Sequence, residues 1–215
     1  EVGVEGTMAE FFEYLRNDPQ FHFATEEAIL QGYEDLRNEI DPKLGKLFGT
    51  LADAPYVIKA VEPFRAQSMA AAQYVPGTPD GSRPGIFYVN TYDLPARPKW
   101  FMESLSIHEA NPGHHFQISV AQEVEDLPAF RRFGGYTAYV EGWGLYSERL
   151  GYDLGLYKDP YSRFGQLTYD MWRAVRLVVD TGIHHKRWTR EEAIDYMLAN
   201  TGMAESDVVS EIERY

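Results

Sequence analysis

The segment 106–117, Ser-Ile-His-Glu-Ala-Asn-Pro-Gly-His-His-Phe-Gln, limits the possible folds of this chain more than any other stretch. A helical pattern of apolar residues leads into His108, and the Pro112-Gly113 pair interrupts it. Proline removes a helical hydrogen bond and clashes with the carbonyl four residues back, whereas glycine adopts conformations that other residues resist. The sequence therefore predicts a helix that breaks or bulges between His108 and the next two histidines, His114 and His115.

The break decides whether His108 can share a metal ion with a later histidine. Imidazoles are common zinc ligands, and histidines four residues apart on a straight helix can share one ion. Here the residue four after His108 is Pro112. On a straight helix His114 would be rotated off the face of His108, and His115 would sit roughly 10 Å away, too far for bonds of about 2 Å to one ion. A shared ion requires the looped-out Pro112-Gly113, and the spacing leaves His114 and His115 as open alternatives.

The chain as a whole predicts an α+β fold that is mostly α-helical, with a small antiparallel sheet in front of the histidine helices. Residues 1–50 form a helical lead-in, with Thr7 and Thr25 as N-caps. Residues 55–95 place β-branched and aromatic runs between proline-rich turns, which is typical of short strands. Residues 98–215 return to helical patterns, so the histidines fall on helices behind the sheet.

Two carboxylates share one face of the helix predicted over residues 137–152. Glu141 and Glu148 are seven residues apart, which returns them to the same side of a helix. Trp143 and Tyr146 make the flanks of this helix apolar. We therefore expect the two carboxylates to have specific partners.

A long helix is predicted over residues 161–181, ended by Gly182. Its polar residues recur at helical spacing: Tyr169, Arg173, Arg176 and Asp180. We interpret this stripe as an ion-pair network between helices, with substrate contact as the alternative.

Composition excludes several classes of function. The chain has 33 acidic and 20 basic residues, and its net charge of −13 argues against binding nucleic acid. It has no cysteine, which excludes thiolate metal sites and disulfides. No apolar run approaches the roughly 20 residues that span a bilayer, so no membrane span is expected. The chain begins at Glu1, which indicates a fragment or a processed product and leaves cytoplasmic and exported locations open.

Two motifs together resemble a known family. The pattern His-Glu-x-x-Pro-Gly-His-His-x-Gln, followed by Tyr-x-Glu-Gly-Trp-x-x-Tyr-x-Glu, resembles the bacterial family called domain of unknown function 885. That family is grouped with zinc metallopeptidases of gluzincin type. The resemblance extends from Asn90-Thr91-x-Asp93-Leu94 to Asp180-Thr-Gly-Ile-His184. It implies one zincin-like catalytic unit over residues 1–215, the C-terminal part of a longer protein, that hydrolyses peptide bonds with one zinc ion.

The resemblance assigns the central roles residue by residue. It implies that His108, His114 and Glu141 bind the zinc and that Glu109 is the general base. By the same analogy His114 is preferred to His115 as the second ligand. The substrate would then be a peptide or a small amide.

The remaining assignments concern residues around this centre. Glu148 and His115 are expected to hold and orient the ligands. An oxyanion needs a donor, for which the candidates are Tyr146, His184 and Arg176. In related enzymes a strand edge pairs with an extended substrate, so residues 85–90 are the candidate edge strand. The expected substrate contacts are Tyr88, Asn90 and Arg176.

Two other functions remain compatible with the sequence. One is a zinc hydrolase that acts on a non-peptide amide or ester. The other is a noncatalytic module that binds a metal or a peptide. The oligomeric state is not indicated by any pattern in the chain.

Overall fold

The computed structural model describes residues 2–3 and 5–215, and it has an α+β fold that is mostly helical. Helix α1 (Met8–Asn17) begins at Thr7, whose hydroxyl accepts a hydrogen bond from the first helical turn. Helix α2 (Glu26–Ile40) begins in the same way at Thr25. Both predicted N-caps are confirmed, because each threonine satisfies a backbone N–H that has no partner within its helix.

A small sheet comes next in the chain, with its strands in the order β1-β3-β2. The elements are β1 (Tyr56–Ala60), the one-turn helix α3 (Pro63–Ala66), β2 (Ala72–Val75) and β3 (Gly85–Val89). β2 is antiparallel to β3, but β1 is parallel to β3. The prediction of an antiparallel sheet is therefore wrong, and the sheet is mixed. The chain reverses once around α3 and again in the turn-rich segment 76–84, so two reversals return β3 to the direction of β1.

β3 is the central strand, which corrects the prediction that residues 85–90 form an edge. It is hydrogen-bonded to a neighbour on each side, and Phe87 and Val89 are completely buried. The sheet edges belong to β1 and β2 instead. β3 is still the last strand before the histidine helix, as the sequence predicts.

Helices make up most of the chain after the sheet. They are α4 (Met102–Glu109), α5 (His114–Glu123), α6 (Ala129–Arg132), α7 (Thr137–Leu150), α8 (Pro160–His184), α9 (Arg190–Asn200) and α10 (Glu205–Ile212). α8 continues through Gly182, so the predicted stop at that glycine is wrong. A side chain at Gly182 would overlap the ring of Trp188, which shows that this glycine serves close packing.

α4 lies at the centre of the molecule, in contact with α2, β2, α7 and α8. All of its side chains from Ser104 to Glu109 are buried. His108 and Glu109 therefore lie within the packed interior and not on a solvated helix face. Of the helices described, none combines the length and the apolar character needed to cross a membrane.

Candidate metal centre

The predicted break in the histidine helix is present. α4 ends at Glu109 and α5 begins at His114, with a cis Asn111–Pro112 peptide bond in the connecting turn. The indole N–H of Trp143 donates to the carbonyl of Pro112 at 2.8 Å and ties this turn to α7. A β-carbon at Gly113 would overlap the carbonyl oxygens at the end of α4, so only glycine lets α5 start so close. The turn returns His114 toward His108.

His108, His114 and Glu141 converge from α4, α5 and α7. Their candidate ligand atoms all lie within 4.8 Å of one another. The Glu141 carboxylate lies 3.4 Å from Nε2 of His108 and 3.7 Å from Nε2 of His114. Tetrahedral ligands about 2.1 Å from one zinc lie about 3.4 Å apart. The two distances from Glu141 are close to this value, so two imidazoles and one carboxylate are placed as candidate ligands of one ion.

His115 is not part of this group. Its Nδ1 lies 2.9 Å from the hydroxyl of Tyr74 and 3.3 Å from that of Ser119. Its ring packs against Tyr56, with ring centroids 4.5 Å apart. Of the two histidines that the spacing leaves open, the structure brings His114 to His108.

Glu148 and Arg173 fix the orientation of His108. Glu148 Oε1 lies 2.8 Å from Nδ1 of His108 and accepts a hydrogen bond of 2.7 Å from Arg173. With Nδ1–H donating to this buried carboxylate, Nε2 faces Glu141 and His114 and is the nitrogen left for a metal ion. The imidazole also packs directly on Gly144, where a β-carbon would lie 2.6 Å from the ring. The predicted orienting role of Glu148 thus has a geometric basis, and Arg173 is a partner absent from the predicted site.

Glu109 lies beside the triad and is held by the sheet. Its Oε2 accepts a hydrogen bond of 2.8 Å from the backbone N–H of Tyr74 on β2. Burial raises the pKa of Glu109, and the neighbouring His108 partly opposes this shift. A carboxylate with a raised pKa takes up a proton more readily than an exposed one, which suits it to act as a base. Tyr74 is a second contributor that the sequence did not predict.

The metal-free triad has an uneven distribution of protons. Burial lowers the pKa of His108, but hydrogen bonds to Glu141 and Glu148 outweigh burial and raise it to about 9. Burial lowers the pKa of His114 to about 4, and His108 adds to the effect. The hydrogen bond with His108 lowers the pKa of Glu141 to about 2. At neutral pH His108 therefore holds a proton that a metal ion would displace.

The triad opens into a cleft of about 1010 Å³. His108, Glu109, His114 and Glu141 all line it, together with β2 and part of α8. Arg176 also lines the cleft, where it stacks on Trp172 and forms two hydrogen bonds with the buried Glu211, of 2.6 and 3.0 Å. These two bonds to Glu211, like that of Arg173 to Glu148, are the ion pairs between helices that the polar stripe of α8 predicts.

Of the residues predicted to take part in catalysis or to contact the substrate, four do not line this cleft in the part of the chain that the structure describes: Tyr88, Asn90, Tyr146 and His184. Tyr146 lies about 140° around α7 from Glu141, and its side chain is exposed. His184 pairs with Asp180 about 12 Å beyond Arg176 along α8.

The other two belong to the central strand and the turn after it. Asn90 is buried and its amide donates to the carbonyls of Ala66, Met69 and Ala70, so it fixes the loop before β2. Tyr88 packs under the guanidinium of Arg65.

The fold also occurs in a solved structure. A protein from Colwellia psychrerythraea, described as a "putative lipoprotein", matches with a TM-score of 0.93 and 44% sequence identity over 98% of this chain. The match covers 37% of that protein, so this chain spans little more than a third of its length. Among proteins with curated descriptions, none matches. The sequence profile of the family described as "Bacterial protein of unknown function (DUF885)" matches residues 1–215, and the chain belongs to this family.

Proposed function

We propose that this protein is a zinc-dependent hydrolase of zincin-like, gluzincin type that cleaves peptide bonds. The main support is the convergence of two histidines from separate helices with Glu141, next to a buried Glu109. His108, His114 and Glu141 would hold one zinc ion. When bound, zinc lowers the pKa of its water toward about 7 and polarises a carbonyl.

Glu109 is the proton carrier in this proposal. Its free oxygen accepts the proton of the attacking water while Oε2 stays bound to Tyr74. Glu109 then donates this proton to the leaving amine, which completes hydrolysis of the amide. Its raised pKa supports both steps, because burial makes this carboxylate a stronger base than an exposed glutamate.

The outer edge of β2 is the proposed contact for the substrate backbone, in place of residues 85–90. The carbonyl of Ala71 accepts from the N–H of Asn90, so Ala71 faces β3. Backbone groups alternate in an antiparallel strand, so those of Ala72 and the carbonyl of Tyr74 face the cleft, while the N–H of Tyr74 donates to Glu109. An extended peptide can pair with this edge within reach of Glu109. Arg176, on the same cleft, stays our candidate for a side-chain contact.

Export from the cytoplasm is the location we propose. The support is the lipoprotein description of the Colwellia protein, with which this chain shares 44% identity. Detection of the native protein in the periplasmic or membrane fraction of the source cells would confirm the location, and detection in the cytosol alone would refute it.

The function is tested by zinc content and peptide turnover of the purified protein. We expect about one zinc per chain and cleavage of a mixed peptide library, detected by mass spectrometry. Glu109→Gln should abolish cleavage and retain zinc, while the exposed Glu125→Gln should leave both unchanged. Protein that neither contains zinc nor is stabilised by it would refute the proposal. Cleavage confined to esters or non-peptide amides would favour that class of hydrolase, and zinc without any turnover would favour a binding module.

A further inference from the structure

An apolar pocket opens beside the metal cleft. It is lined mainly by aromatic and aliphatic side chains from α2, the segment before α4, α4, α8 and the segment before α10: Tyr33, Phe101, Leu105, Tyr169, Trp172 and Met203. Its volume is about 50 Å³, whereas one water molecule needs only about 10–15 Å³ by the same measure. The pocket is therefore large enough for a ligand group of several heavy atoms.

The pocket and the cleft are adjacent and share part of their walls. Leu105, Tyr169 and Trp172 line both of them. Leu105 lies one helical turn before Glu109 on α4, so the β-carbons of this lining residue and of the proposed general base are about 6 Å apart. Ala71, directly before the free edge of β2, also lines both. A chain paired with this edge would pass the mouth of the pocket.

The charges at the pocket are already neutralised. Arg97 forms two hydrogen bonds of 2.9 Å with Asp207 and further bonds to backbone carbonyls. At the rim, Glu211 is bound by Arg176 and Arg214. A charged ligand group would therefore lose its water without gaining an unpaired partner of opposite charge. An apolar group would replace water against aromatic rings and gain free energy.

We propose that this pocket determines substrate specificity by taking the apolar side chain of a residue next to the scissile bond, of the size of leucine or methionine. This inference rests on the proposed peptidase function. It assigns the cleft to peptides with a large apolar residue at one defined position.

The test compares peptides that differ only at the residue beside the scissile bond. We expect kcat/KM to be at least about tenfold higher for leucine or methionine than for glycine, since an apolar pocket gains that factor from about one methylene group. Peptides with aspartate or lysine at this position should have the lowest kcat/KM. Ala71→Leu, which narrows the mouth of the pocket, should reduce the leucine-to-glycine ratio to near one. The exposed Ala199→Leu on α9 is the matched control and should keep the ratio.

Folding and function are checked separately from specificity. The thermal unfolding midpoint and the zinc content of Ala71→Leu show whether the variant is folded. Peptide cleavage with no apolar preference, or with a preference that Ala71→Leu leaves intact, would overturn the pocket assignment and leave the hydrolase proposal standing.

If no peptide is cleaved, the proposed function fails and the pocket is tested by ligand-observed NMR. N-acetyl-leucinamide should then bind to the protein and N-acetyl-glycinamide should not. Equal binding of the two, or binding of neither, would refute the pocket assignment. Loss of the leucinamide signal in Ala71→Leu, and its retention in Ala199→Leu, would place the ligand in this pocket.

Discussion

The contact between α7 and His108 can be tested with two glycines on the same helix. A β-carbon at Gly144 would lie 2.6 Å from one ring carbon of His108 and 2.9 Å from each ring nitrogen. Carbon atoms normally pack at about 3.5–4.0 Å. Gly144→Ala must therefore push the imidazole about 1 Å away, against the hydrogen bond that holds it to Glu148. Gly142, one residue after Glu141, has no atom within 4 Å of the corresponding position.

Comparison of Gly142→Ala with Gly144→Ala separates the effect of the contact with His108 from the effect of helix propensity. Alanine stabilises a helix interior by about 1 kcal/mol relative to glycine, and this gain applies to both variants. Overpacking costs about 1–3 kcal/mol, and it applies only to Gly144→Ala. The free energies of unfolding of the two variants should therefore differ by about 1–3 kcal/mol, with Gly142→Ala more stable than the wild type.

Zinc affinity should respond more strongly than stability. Zinc bonds tolerate displacements of only about 0.2 Å, so a shift of about 1 Å in His108 should reduce affinity at least about tenfold. Urea denaturation of the metal-free protein and competition with a chelator measure the two quantities. Equal stability and equal zinc affinity of both variants would show that His108 does not depend on close contact with α7.

Two further changes probe the metal centre. Glu148→Gln removes the charge that orients His108 and should weaken zinc binding about 10–100-fold, whereas the exposed Arg149→Gln on the same helix should have no effect. Unchanged affinity in a chelator competition would exclude Glu148 from the support of the site. Zinc must also displace the proton of His108, whose metal-free pKa is raised to about 9 by Glu141 and Glu148 against burial. Zinc affinity should therefore rise with pH up to about 9, and calorimetry near neutral pH in buffers of different ionisation enthalpy should detect the released proton; an affinity that is flat over this range contradicts the assignment.

The part of the site that lies close together in sequence could be predicted. The Pro112-Gly113 break follows from backbone chemistry alone, because neither residue suits a helix interior. The break explains why His108 and His114 meet without the usual four-residue spacing. Glu141 required the second motif, since spacing alone does not show which helix packs beside the first.

Partners supplied by distant segments could not be predicted. Tyr74 donates to Glu109 through its backbone N–H. Every residue except proline has this group, so the residue type at position 74 does not indicate the contact. In the sequence, Arg173 could be recognised only as one member of the polar stripe on α8. Its partner Glu148 lies on another helix. The order of the strands in the sheet depends on which strand becomes the central one. The alternation of apolar and polar residues along a strand does not determine this position. The assignments of Tyr88 and Asn90 relied on the wrong edge and failed with it.

Because of the break between α4 and α5, formation of a helix alone does not create a metal-binding pair of histidines. In a motif with both histidines on one helix, a short helical peptide already presents two ligands. Here His108 and His114 meet only when the turn, α5 and α7 are packed, so the unfolded chain presents no ready pair of ligands. A metal ion would distinguish folded from unfolded protein almost completely, and each tenfold excess of free zinc over its dissociation constant would add about 1.4 kcal/mol to the free energy of unfolding. The availability of zinc would then set how long the folded protein survives.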